Sequence, residues 1–494
     1  MEIFKKISNL WKNFKSQPDV WFFYAFLATF TLSVRKVLFF YPVDNIFNEY
    51  SSVYLYLSDI FLFLTVITWI FTLQNKSSLL SIVKTIKNRR LLMYILPLCL
   101  VLWSFISILW SSNVAIAWFR SIKFLELYLL YLYIVNVPRG TFANIIRIII
   151  SIGFFQSILA IWQFVIQRSI GIFWLKESII SPNIAGVAKV VLNGQRHIRA
   201  YGLFPHPNIL GGFLLFSLIL GFFNFKLFHV EQLWFGKKIS KIIFWIVIMV
   251  QAIALALSIS KSAILGLLIG LIFIIVNLIV PRGTIISKIK FIIRMFHVEQ
   301  FKRYGKKLIL ISLILIFLFA LIRPDLYSLF LKSLDERLLY LNVSRGTILN
   351  NAFLGVGSGQ FVWDIAKYVP RGTILLNWQF QPVHNVFLLI WSELGLVGLA
   401  LIAWFLWKMF HVEQYDESKV KCEVMSLGGQ CEIYKPSKNV SRGTIDNQRV
   451  VFQGILTGFI FIMLFDHYFW DIQQGEIMLW MMLGFIANFS IDKK

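Results

Sequence analysis

Apolar runs of membrane-crossing length recur along the chain, separated by shorter polar connections. Windows of about 20 apolar residues predict some twelve helices, near 21–40, 53–73, 91–110, 115–135, 144–166, 209–225, 242–259, 262–279, 308–322, 386–407, 451–465 and 477–489. The expected fold class is all-α, a polytopic transmembrane helix bundle. It divides into a basic N-terminal stretch over 1–20 and a single integral membrane domain over 21–494. The opening MEIFKKISNLWKNFKSQ is basic, but the apolar stretch after it is as long as a full span and has no small-residue cleavage site. It is expected to be a first helix rather than a cleaved signal.

With the N-terminus and C-terminus placed in the cytoplasm, every strongly basic connection falls on the inner face, including the loop at about 408–449. The outer face then receives two long connections, at about 167–207 and about 323–384, the second between the ninth and tenth spans. Connections of this length in a compact domain are usually functional.

Composition reinforces the membrane reading. A chain of 494 residues that is 58% hydrophobic and 15% charged, with mean hydropathy +0.74, is too apolar for a soluble domain. The formal charge of +24 would point to nucleic acid in a soluble protein. Here Lys and Arg collect in cytoplasmic loops and no soluble basic domain is visible, so no nucleic acid is expected as a partner. Cys99 lies in an apolar segment and Cys422 and Cys431 in a polar one, which makes neither a disulfide framework nor a metal site.

Charges inside the predicted spans are few. Arg120, Lys123 and Glu126 recur at three-residue steps and so share one side of a helix. An internal, self-neutralising ion pair and a ligand-facing stripe are both open readings of that spacing. Arg35, Lys36, Lys261 and Glu393 lie nearer span ends, where snorkelling suffices.

The outer face gathers polar groups in three places. QRHIRAYGLFPHPNILGGF holds Arg196, Arg199, His206 and Asn208 just before a helix, with prolines on both sides of His206. SLDERLLY holds Arg337 and is followed by FLGVGSGQF. QPVHNVFLLIWSELGLVGL places His384 and Asn385 at the mouth of a span. Arginine forks bind phosphate oxygens and a neutral histidine can take a proton from a hydroxyl, so the set suits an anionic ligand. Singly, each residue is equally a cap or a solvated charge. The G-x-G of GVGSGQF lacks the strand and helix of a nucleotide fold, and no HVEQ copy forms H-E-x-x-H, so no metal is expected.

At RAYGLFPHPNILGGF, LALSISKSAILGLLIGL, DERLLY with FLGVGSGQF, HNVFLLIWSELGLVGL and the closing DHYFWDIQQGEIMLWMMLG, the chain resembles the O-antigen ligase and polysaccharide polymerase family of membrane glycosyltransferases. The likeness runs from about Trp103 to the C-terminus and rests on the order of several short motifs. It implies a GT-C-like bundle in the bacterial inner membrane. The implied reaction moves a glycan from a polyprenyl-diphosphate carrier to a glycan, lipid or protein acceptor hydroxyl on the outer face, with no cofactor. Carried over residue by residue, Arg199 and Arg337 would hold the diphosphate and His384 would orient or deprotonate the acceptor. Asn385, His206, Asn208, Arg196, Arg120 and Lys123 are the supporting substrate-binding candidates. A transporter or flippase of lipid-linked sugars is the alternative, although no two halves of the chain resemble each other.

Two short strings recur without a common period. VPRGT begins at Val137, Val280 and Val369, VSRGT at Val343 and Val440, and FHVEQ at Phe228, Phe296 and Phe410. One DNA palindrome accounts for them, VSRGT with one base changed: TGTTCCACGTGGAACA read as GTT CCA CGT GGA ACA encodes VPRGT, and read as TTC CAC GTG GAA CA it encodes FHVEQ. The residue before each FHVEQ has a codon ending in TG (Leu227, Met295, Met409). The residue before each VPRGT or VSRGT has one ending in T (Asn136, Ile279, Asn342, Tyr368, Asn439). The palindrome resembles the centromere-like site of bacterial chromosome-partitioning proteins, and the peptides are expected to be passengers in loops, with Val343 and Val369 opening copies in the outer one. Sequencing the gene tests this: the eight positions are expected to share the palindrome's codons, and divergent codons would overturn the reading.

Overall fold

Long runs of Leu, Ile and Phe fold as helices because only a helix satisfies its backbone polar groups within the segment when no water is at hand. The computed structural model describes residues 14–43, 47–74, 91–192, 194–224, 236–279, 326–369, 379–411 and 442–490. Among these, the first half carries α1 (Pro18–Thr29), α2 (Leu57–Gln74), α3 (Leu91–Ile106), α4 (Val114–Asn136), α5 (Phe142–Ile166) and α6 (Pro207–Phe223). The second half carries α7 (Gly236–Leu257), α8 (Lys261–Ile279), α9 (Leu326–Asn350), α10 (Phe361–Tyr368), α11 (Val386–Phe410), α12 (Arg442–Met463), α13 (Tyr468–Asp471) and α14 (Gln473–Ser490). Leu91–Trp110, Arg139–Ile166, Lys261–Leu278 and Val386–Phe410 are long and apolar enough to cross a membrane, and the chain is a helical membrane protein. The predicted span 308–322 lies outside the described residues.

Two expectations are corrected. The stretch 21–40 is not one helix: α1 ends at Thr29, and Arg35–Phe40 (β1) pairs antiparallel with Ser52–Tyr56 (β2). A hydropathy window cannot separate helix from strand, and the aromatic and β-branched residues of Val37–Tyr41 suit a pleated ribbon. Second, 323–384 is not an open loop, because it contains α9 and α10. Its charges exclude a lipid-facing span but not a helix. In the connection at 167–207, Lys189–Leu192 (β3) and Gln195–Ile198 (β4) form a second hairpin.

The core is organised around α14, in which every residue from Gln473 to Asn488 is buried. Beside it α8 and α12 cross at paired glycines, Gly266 and Gly270 against Gly454 and Gly458. A Cβ at Gly270 would stand 2.6 Å from the Gly454 carbonyl oxygen, and one at Gly266 2.9 Å from that of Gly458. Small residues at four-residue spacing let two backbones touch, which is how helices associate where lipid offers no hydrophobic drive.

Helix α11 is broken. Gly395 takes φ +67°, a left-handed conformation that costs a side-chain-bearing residue energy, and the ladder there opens. The Val356 N–H donates to the Ser392 carbonyl at 2.9 Å, and the Gly357 N–H to that of Glu393 at 2.8 Å. The GVGSGQF segment is thus the plug of a helix break, and it holds Glu393 at the wall of an internal cavity.

Two copies of the recurring strings are built into this core. Val343 and Ser344, expected in a loop, lie fully buried within α9, and Ser344 Oγ hydrogen-bonds Ser392 Oγ at 3.1 Å. The Val137 copy makes the turn between α4 and α5. There the Asn488 amide donates to the Val137 carbonyl at 2.9 Å, and Arg139 donates back to the Asn488 carbonyl at 3.1 Å. At the Phe410 copy α11 ends, and the copies at Phe228, Val280 and Phe296 lie outside the described residues.

Gly270→Leu is expected to destabilise the protein by about 1–3 kcal/mol, because the new side chain must force the crossing apart. Gly140→Leu, whose added Cβ meets nothing within 4 Å, is expected to be close to neutral. Thermal unfolding in detergent checks both, and equal melting temperatures would count against the crossing.

Candidate active site

A cavity of about 480 Å³ opens where the ends of α6, α11 and α12 meet the loop between β1 and β2 and the base of α4. His206, Asn208, His384, Arg120 and Lys123 line it, together with Glu393, Asp466, His467, Asp471 and Glu476.

Each group is placed by a local constraint. His206 is the N-cap of α6, and its Nδ1 accepts the Asn208 N–H at 3.2 Å, with Pro207 in the first turn where its missing N–H costs nothing. Asn208 is a bridge: its Oδ1 accepts from Arg199 Nη2 at 2.6 Å and its Nδ2 donates to Asp466 Oδ2 at 2.6 Å. Asp466 Oδ1 accepts the His467 N–H at 2.9 Å, and His467 Nδ1 lies 2.8 Å from Asp471 Oδ2, one helical turn on. The His384 ring stacks on that of His467 with centroids 5.0 Å apart and meets Tyr340 edge-on at 5.8 Å.

Electrostatics divides the histidines. Burial pushes His384 down to about 3, helped by the charge of His467, and burial beside Arg199 pushes His206 down to about 4. Burial works against charge on His467 too, but the Asp471 carboxylate, its hydrogen bond and Asp466 outweigh it and raise the value. The cavity therefore holds two neutral imidazoles beside a third, His467, whose hold on a proton its carboxylates strengthen. Burial also opposes charge on Asp466, yet His467 and the Asn208 hydrogen bond hold it below the ordinary carboxylate range.

The floor is a network of buried ion pairs. Arg120 Nη2 bonds Glu476 Oε1 at 2.7 Å, while Lys123 Nζ bonds Asp59 Oδ2 at 2.5 Å and Glu126 Oε2 at 2.9 Å. Gln473 Nε2 completes it on Asp59 Oδ1 at 2.5 Å. Both readings of the Arg120 stripe thus hold in part: the cations are internally paired, and they line the cavity. Glu126 pairs with Lys123, whereas the partner of Arg120 comes from α14.

The other candidates are more distant. Arg199 stands behind the cavity wall, its Nε donating to the Ser258 carbonyl at 2.6 Å, and burial lowers it to about 10. Arg337 is half-buried on α9, and its charge acts on His384. Asn385 caps α11, its Oδ1 accepting from the Leu388 N–H at 3.0 Å and its Nδ2 donating to the Leu464 carbonyl at 3.1 Å. Arg196 is exposed on β4 opposite Val191, and neither it nor Asn385 lines the cavity.

Asp466, His467 and Asp471 carried no assigned role in the sequence reading. Their signal was the DHYFWD string itself, a His and an Asp four residues apart next to another Asp, which was quoted above only as part of the closing motif. Lys261, read as a snorkelling residue, is exposed at the first position of α8 and feels the charges of both Arg199 and Arg337. His384, Asp466 and His467 bring candidate ligand atoms within 4.8 Å of one another, close enough for a divalent cation. Two of these three already hold protein partners, His467 on Asp471 and Asp466 on Asn208.

Helices of membrane-crossing length, together with a cavity lined by neutral imidazoles and buried ion pairs, define a membrane protein with a polar chamber. Residues 242–403 match the family model described as O-Antigen ligase, which supports membership of the O-antigen ligase and polymerase family and a membrane ligase or polymerase-type role. The match takes in Lys261, Arg337, His384 and Glu393, while Arg199, His206, Asn208 and Asp466 lie outside it. No curated protein matches the chain.

In selectively labelled protein, histidine NMR is expected to show His384 and His206 neutral from about pH 5 to pH 7 and His467 protonated at the lower end. Because Asp471 is what raises His467, Asp471→Asn is expected to make His467 lose its proton at lower pH. An unchanged titration would refute the pairing.

Proposed function

We propose that the chain transfers a glycan from a polyprenyl-diphosphate carrier to an acceptor hydroxyl on the outer face of the cytoplasmic membrane, as a surface-polysaccharide ligase or polymerase. The observation that carries this reading is a neutral, half-buried His384 on the cavity wall with cations near it: Arg337 acts on His384, Arg199 on His206, and both on Lys261.

A neutral imidazole in a cavity wall can accept a proton from a hydroxyl, and held down to about 3 it stays available as a base at any physiological pH. The leaving group is a diphosphate, so the other demand is positive charge where negative charge develops, and the three cations supply it. In a single displacement the acceptor oxygen bonds to the anomeric carbon as the bond from that carbon to the phosphate oxygen breaks. The acceptor proton passes to His384, the diphosphate leaves on its carrier, and the configuration at carbon inverts. His206 and Asn208 flank the donor in this arrangement, and Arg120 and Lys123 form the floor beneath the sugar. Arg196 and Asn385 act from outside the cavity wall, Asn385 by fixing the helix start next to His384.

A carrier of lipid-linked sugars is the second reading, favoured by the break in α11 at the cavity wall, since transporters build sites on discontinuous helices. It predicts movement of the donor with no new glycosidic bond.

His384→Ala and Arg199→Ala are expected to cut transfer of glycan to acceptor by at least about 100-fold while membrane abundance is unchanged. Quantifying product and protein in the same membranes checks this, and normal product from either variant would sink the assignment.

A further inference from the structure

A second cavity, of about 320 Å³, adjoins the first and shares with it the walls Arg35, Phe47, Tyr54 and Pro205. Lys176 and Ser178 close its far side. It lies between two apolar projections. One is the β1–β2 hairpin, whose Val37, Leu38, Phe39 and Phe40 are exposed, with Phe47 in the loop beyond. The other is the turn around Phe173 and Trp174, where Trp174 is 78% exposed.

That turn is held with unusual care. Glu177 is buried, and its carboxylate accepts the N–H groups of Ile170, Gly171 and Ile172 at 2.7, 2.8 and 2.7 Å and the Gln163 amide at 2.8 Å. Four donors on one carboxylate fix a turn whose aromatic side chains then point away from the protein. Rigid aromatics of this kind sit well at the level of lipid headgroups. Arg35 is fixed as well, donating to the Tyr56 hydroxyl at 3.1 Å, lying 4.1 Å over the Tyr54 ring and pairing with Glu49.

We propose that this second cavity is the acceptor's subsite: it takes the phosphorylated headgroup of an amphiphile between Arg35 and Lys176, while the hydrocarbon chains lie against the two apolar projections. Two positive side chains flanking an opening suit a phosphate. The aromatic lips suit a molecule that stays partly in the bilayer, and the shared walls lead from the subsite into the chamber of His384. The assignment to the acceptor rests on the transfer reaction proposed above, in which the cations around His384 are committed to the donor's diphosphate.

The test uses the full-length chain in phosphatidylcholine nanodiscs containing dioleoyl phosphatidic acid, with retained lipids counted after extraction. The wild type is expected to retain at least about fivefold more phosphatidic acid than its share of the bilayer, and Lys176→Glu to lose that enrichment. Equal retention by the two overturns the headgroup site, and this arm needs no catalysis. In the transfer assay, Lys176→Glu and Trp174→Ser are expected to raise KM for a phosphorylated lipid acceptor at least about tenfold, with kcat and the donor KM within about twofold. An unchanged acceptor KM, or a rise in the donor KM instead, overturns the assignment. Absence of any transfer by the wild type would refute the proposed reaction, with the retention result still deciding the headgroup site.

Discussion

A buried charge in an apolar bundle is tolerable only if its hydrogen-bonding demand is met, and the site is organised by one way of meeting it. From Arg199 through Asn208 and Asp466 to His467 and Asp471 the polar groups form an unbroken hydrogen-bonded line. It ties the segment after β4 to the start of α6 and both to the corner between α12 and α14. Removing Asp466 from the middle of it would leave its neighbours buried without a partner, at a cost of several kcal/mol. The same line biases the histidine charges: carboxylates on both sides of His467 strengthen its hold on a proton, and burial, helped by His467, keeps His384 neutral. Structure and acid–base chemistry here have a single cause.

Backbone geometry brings the remaining groups to this line. The glycine crossing of α8 and α12 holds the first residue of α8, Lys261, at the same end of the bundle as Asp466. The break at Gly395 and its GVGSGQF plug hold Glu393 at the cavity wall, where an uninterrupted ladder would demand different partners. In both places the feature that matters is the absence of a side chain, which lets one backbone reach another.

The recurring peptides show how such a bundle absorbs one short string in different settings. Val-Ser-Arg-Gly-Thr contains small and β-branched residues that a helix accepts at modest cost. In α9 it presents Val343, Ser344 and Thr347 to the core. Five residues of helix turn the chain through about 500°, so the face that α9 presents beyond Thr347 depends on the copy being there. At Val137 the proline and glycine of the same motif make a turn where a turn was needed. A string arising from DNA need not stay a passenger once its neighbours pack on it.

Much of the fold was legible because hydropathy is local. The helices at Leu91–Ile106, Val114–Asn136 and Phe142–Ile166 lie where a run of apolar residues must leave water. Arg35–Phe40 was not legible as a strand, since an aromatic run satisfies a hydropathy window in either conformation, and neither was Leu326–Asn350 as a helix, since its charges mask it. His206, Asn208 and His384 were identifiable as polar groups at helix mouths. Asp466 and His467 were not, because their meaning is their distance from residues more than 80 and 250 positions earlier in the chain. By itself the sequence determined which segments leave water and which residues have chemistry to offer, because both are properties of the residues. Only the tertiary structure decided which histidine is charged and which is neutral, because a proton's affinity is set by the carboxylates and burial that other segments bring.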